Sequence, residues 1–144
     1  MDKDIEIVKQ EKRINAVFPD DIEDISRRRK TITIYKQFLE NNLQLPVKVT
    51  GRIDFSWEGI YIWGSGYLEE YEELKKEKPS YTDLYNLTGF FNHYSVLKGL
   101  YAKVVRITDK KHFKLELIDL KAVDEESKNY QLIDDYIYWH VNYC

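Results

Sequence analysis

Leu117-Ile118-Asp119-Leu120-Lys121-Ala122-Val123-Asp124-Glu125-Glu126-Ser127-Lys128-Asn129-Tyr130-Gln131-Leu132-Ile133-Asp134-Asp135-Tyr136-Ile137-Tyr138-Trp139-His140-Val141-Asn142 runs from an apolar strand through an acidic linker into an aromatic helix. Asp124 and Ser127 are both good helix caps, because a short side-chain oxygen can accept from an otherwise unpaired N–H of the first turn. A strand handing over to a closing helix reads as the end of an α+β domain.

The segments before it read as strands. His112–Ile118 pairs by pattern with Tyr101–Ile107 across Thr108-Asp109-Lys110-Lys111, whose composition suits a hairpin turn. Phe113, Leu115 and Leu117 share one face, and Lys114 and Glu116 the other. Asn86–Tyr94 is expected to be a further strand. Val47, Val49, Gly51, Ile53 and Phe55 alternate with polar residues and predict a half-buried strand from Val47 to Phe55, with a bend at Gly51.

Ile22, Ile25, Ile32, Tyr35, Phe38, Leu39 and Leu43 recur at three- and four-residue spacing, which predicts a helix over Ile22–Leu43. It starts after Pro19 and ends before Pro46, which forces Leu45 into extended geometry. Arg27–Lys30 is a basic run in this helix, read as a solvated face or a patch for acidic groups. Residues 1–17 read as a short helix or strand, or as a loosely held arm. Residues 57–86 read as an insertion between strands, too short for its own core. Within it Tyr67, Leu68, Tyr71 and Leu74 form a helical stripe, and Tyr61 and Trp63 suit a short strand. The expected fold is one α+β domain over 1–144. It has an antiparallel sheet or small open SH3-like barrel, a long N-terminal helix, an inserted helix and a closing C-terminal helix.

Composition narrows the function classes. The chain has 22 basic and 25 acidic residues, for a net charge of −3, which argues against a dedicated nucleic-acid binder. No apolar run approaches the roughly 20 residues of a membrane span. The one cysteine, Cys144, cannot form an internal disulfide, and a cytoplasmic protein is expected. No nucleophile–base pair, zinc spacing or phosphate loop is present, so an enzyme is not expected. Twelve tyrosines suit half-buried strands or a recognition surface.

Acidic clusters remain, with Asp124, Glu125, Glu126, Asp134 and Asp135 in the closing segment. Calcium takes six to eight oxygen ligands, and with no EF-hand spacing any site must gather from separate segments. Tyr35–Val49 carries a helix, then Pro46 and an apolar strand. Leu117, Leu120, Val123 and Asp124 are followed by Asp134-Asp135-Tyr136-Ile137-Tyr138-Trp139. Over 35–49 and 117–139 the chain resembles the small cyanobacterial-type calcium-binding protein family. That resemblance implies a small sheet packed with helices and calcium binding or buffering. By position it points to Asp124, Glu125, Glu126, Asp134 and Asp135 as metal ligands. The rival reading is a protein-interaction module of immunity or adaptor type, using Trp57, Tyr61, Trp63 and Tyr67.

Overall fold

A computed structural model describes residues 3–144. Five strands form one antiparallel sheet in the order β4-β3-β2-β1-β5. The strands are β1 (Val47–Gly51), β2 (Leu84–Ser95), β3 (Gly99–Arg106), β4 (His112–Glu116) and β5 (Leu120–Ala122). The helices are α1 (Lys3–Asn15), α2 (Arg29–Asn42), α3 (Gly59–Ile62), α4 (Leu68–Leu74) and α5 (Lys128–Asn142). The expected α+β class holds, and the sheet is open. β2 and β3 pair with bulges between Leu87 and Gly89 and between Phe90 and Tyr94. The expected β3–β4 hairpin is present, with Val104 opposite Phe113.

The core lies between the sheet and α2 and α5. Val47, Val49, Tyr85, Leu87, Ala102 and Val104 come from the strands, and Ile32, Tyr35, Leu39, Ile133, Tyr136 and Trp139 from the helices. Tyr35 packs on Trp139 at 4.9 Å and edge-on to Tyr136 at 5.2 Å. Offset and edge-to-face rings bury large areas with favourable quadrupole contacts. α5 is buried on two sides, so Leu132, Ile133, Tyr136, Ile137, Trp139 and His140 are all covered.

Three expectations are corrected. The helix predicted from Ile22 begins only at Arg29. Two backbone groups of residues 22–28 are instead tied to the closing segment. Trp139 Nε1 donates to the Ile25 carbonyl at 2.7 Å, and the Arg27 N–H donates to the Tyr143 carbonyl. A helix there would have to give up these tertiary bonds. Ile22 and Ile25 still pack on the core, which explains their helix-like spacing.

The strand expected to reach Phe55 ends at Gly51. The Gly51 N–H donates to the Tyr81 carbonyl at 3.0 Å, and a Cβ on Gly51 would overlap the Tyr81 backbone. Beyond it Ile53 is exposed rather than inward. Tyr61 and Trp63 lie in and after α3, not in a strand. The segment between β1 and β2 is therefore helical, and residues 84–86 of the expected insertion belong to β2.

Within residues 3–15, the reading that includes a helix fits α1, which docks through buried Ile14 and half-buried Arg13. Residues 1–2 lie outside the described residues. Among the described residues no helix is long and apolar enough to cross a membrane.

Candidate functional site

The five acids of the closing segment fall into separate places. Asp124 folds the linker: its Oδ1 accepts the Glu126 N–H at 3.1 Å. Ser127 Oγ donates to the Asp124 carbonyl at 2.6 Å. Ser127, not Asp124, caps α5, accepting the Tyr130 N–H at 3.1 Å. Glu125 pairs loosely with Lys121 at 3.7 Å, and Glu126 is exposed. Asp135 is buried and faces α1, where Arg13 grips it through Nε at 2.8 Å and Nη2 at 3.0 Å. Gln10 Nε2 donates to both Asp135 at 3.0 Å and Asp134 at 3.2 Å. Among the described residues no three His, Cys, Asp or Glu side chains converge to hold a metal.

Asp134, besides sharing Gln10 with Asp135, also meets a second neighbourhood. Its carboxylate lies 4.0 Å from Arg52 Nη2, just past the end of β1. The Arg52 N–H donates to the Asp119 carbonyl at 2.9 Å, which ties β1 to the turn between β4 and β5. The Asp119 carboxyl is half-buried. Burial, and then the charge of Glu116, push it up to about 6, while Arg52 opposes that rise. The Tyr130 hydroxyl is also pushed up, by burial and then by Asp134 and Glu125, with Arg52 opposing. Arg52, Tyr130 and Asp134 line one narrow cleft with Leu120 and Ile133. Arg52 thus lies beside Asp134 and acts on the charge of Asp119.

Asp119 is the residue that sequence reading missed. Its signal was legible, since it is an acid set inside the apolar run Leu117-Ile118-Asp119-Leu120. Nothing local revealed Arg52 as its neighbour.

The four aromatics of the expected interaction surface divide. Trp57 and Tyr61 are half-buried on α4, with Tyr61 stacked on Tyr71 at 5.3 Å and 9°. Trp63 and Tyr67 are 80% and 77% exposed, beside exposed Ile60 and Leu68. Beneath them lies an unexpected polar hub. Glu58 is fully buried and accepts from Tyr71 Oη and Ser80 Oγ at 2.7 Å, and from the Tyr81 and Phe55 N–H groups at 2.8 and 3.2 Å. Buried Arg106 donates to the Lys75, Lys76 and Lys78 carbonyls and to Asp83 and Asp109, pinning the end of α4 to the sheet. Both charges are satisfied, so the hub reads as structural.

The basic run Arg27–Lys30 is partly committed inside the molecule. Arg27 Nη1 donates to the His140 carbonyl at 2.6 Å, and Arg28 donates to the Asp24 carbonyl at 2.8 Å.

No family model matches the chain, and no curated protein matches it either. The fold is similar to that of the crystal structure of Anabaena CcbP. The likeness has a TM-score of 0.60 at 18% identity and covers 91% of this chain and 88% of that one.

Proposed function

We propose that this protein is a small, non-enzymatic calcium-binding protein, acting as a cytoplasmic calcium buffer. The observation that carries the reading is the negative corner around Arg52. Asp119 is held half-buried under the charge of Glu116, and Asp134 on α5 lies 4.0 Å from Arg52. An acid whose ionised form is disfavoured by a neighbouring acid is relieved by an added cation. The whole-chain likeness to CcbP supports the same reading.

With few carboxylates at hand and Arg52 competing, binding is expected to be weak, in the range of roughly 0.1–1 mM, with water filling much of the coordination shell. Titration calorimetry on the chelator-treated chain should give heat, and millimolar calcium should raise the melting temperature by mass action. Arg52→Gln should tighten binding, while Asp119→Asn and Asp134→Asn should weaken it. Absence of both heat and a melting shift at millimolar calcium sinks the proposal.

A second reading rests on exposed Trp63 and Tyr67, flanked by Ile60 and Leu68. Large aromatics left in water suit a protein-recognition surface. Under this reading a Trp63→Ser/Tyr67→Ser variant keeps its stability and loses a partner that the parent chain retains in a pull-down. Retention of the same partner by the variant removes this support.

A further inference from the structure

The face of the sheet turned away from the core carries side chains with no assigned role. Alternation puts Tyr85, Leu87, Ala102 and Val104 in the core and their strand neighbours outside. Strand register orders that outer face in rows. Lys48, Asn86, Val105 and His112 form one row across β1, β2, β3 and β4. Gly89, Lys103 and Lys114 form the next. The floor of this second row is open, since a Cβ built on Gly89 would meet nothing within 4 Å.

Three rings gather beside it. His93 lies 5.5 Å from Phe91 and 5.3 Å from Tyr101, centroid to centroid. Lys103 Nζ stands 5.3 Å from the centre of the Phe91 ring. Lys114 Nζ stands 4.7 Å from the centre of the Tyr101 ring and 3.4 Å from His93 Nε2. Among the described residues neither lysine forms an ion pair; each rests on a ring instead. Glu116 is the one acid in β1, β2, β3 and β4, so a chain of net charge −3 keeps a locally positive face here. Thr88, Phe91, Lys103, His112 and Lys114 line one open hollow of about 460 Å³ on it.

Rings and cations interleaved in this way suit a polymer that carries a flat ring and a negative charge on every repeat. We propose that this face binds single-stranded nucleic acid. Bases stack on Phe91, His93 and Tyr101, while Lys103 and Lys114 leave the rings for the phosphates. An exposed lysine is held only weakly over a ring, so a base can take its place. An acidic peptide would use the lysines and leave the rings idle. The face needs no metal and no part of the corner at Arg52.

Fluorescence anisotropy of a labelled strand of about ten thymidylates, titrated with the full-length protein, tests the face. Binding should saturate in the range of roughly 1–100 μM and weaken with added salt. Lys103→Gln/Lys114→Gln should weaken it about tenfold. Phe91→Leu keeps apolar bulk and removes the π face, and should weaken it about fivefold or more at an unchanged melting temperature. Gly89→Glu has room for its side chain and sets an acid on the floor, so it should weaken binding with the fold intact. No saturable binding by about 100 μM protein overturns the proposal. So does parental affinity in Phe91→Leu or in the lysine pair. A poly-glutamate peptide of equal charge that displaces the strand as well as unlabelled strand does would also overturn it, because the face would then read charge alone.

Discussion

Asp119 and His140 titrate in opposite senses, because burial disfavours the charged form of each. Asp119 is raised from 3.8 to about 6 by burial and then Glu116. Between those values the native state holds a proton that the unfolded chain has released, so stability falls as pH rises through that window. His140 is lowered from 6.5 to about 4 by burial and then Arg27. Its contribution is complete above 6.5 and is lost as pH falls toward 4, because the unfolded chain takes the proton first. The two slopes oppose each other, and Asp109, held near 2 chiefly by Arg106, titrates below them. Asp119→Asn should therefore expose the His140 slope. Thermal melts of the variant should climb between pH 4 and 6.5 more steeply than those of the parent, and stand higher at pH 7. Parallel curves would show that Asp119 is ordinary.

Gly99 is a second residue-scale case. Its φ is +81°, and a Cβ there would press on Tyr136 Oη and the His140 ring. That hydroxyl accepts the Leu100 N–H at 2.9 Å. Gly99→Ala should cost about 2 kcal/mol or more by chemical denaturation, from the left-handed backbone and the lost bond.

At the scale of elements, the helical excursion between β1 and β2 depends on a charge. Glu58 gathers four donors from Phe55, Tyr71, Ser80 and Tyr81 in a fully buried spot. Glu58→Ala leaves those donors unsatisfied, and each buried loss costs roughly 1–3 kcal/mol. The expected outcome is early amide exchange over 56–83 with the sheet amides still protected. Uniform loss of protection would mean that the excursion and the sheet unfold as one unit. The α4 stripe was legible as Tyr67, Leu68, Tyr71 and Leu74, yet only Tyr71 of these is buried. Trp57 and Glu58 were not legible as helical, because they are held by Pro79, Ser80 and Tyr81, far along the chain, and Tyr61 stacks on Tyr71 of α4.

At the scale of the whole molecule, α1 is held to α5 by a bidentate ion pair. Asp135 is nearly buried, while the Arg13 side chain is 36% exposed. Asp135→Asn should release α1, seen as lost amide protection over 3–15. The stability loss should fall below the roughly 3–5 kcal/mol of a fully buried pair, since water reaches Arg13. Protection unchanged over α1 would show that Ile14 alone holds it.

Local periodicity is a property of the chain itself, and it was enough for α5 with its Ser127 cap, for the β3–β4 hairpin and for the α+β class. A repeat of two or of three and a half residues survives whatever the neighbours are. Asp135 was equally visible as an acid, but its role was not: position on the helix aimed it at Arg13, whereas Asp134, one residue earlier, meets Arg52. The neighbourhood of Asp119, Arg52 and Asp134 joins the end of β1, the turn after β4 and the face of α5. Electrostatic properties depend on distances between elements far apart in sequence, and only packing sets those distances.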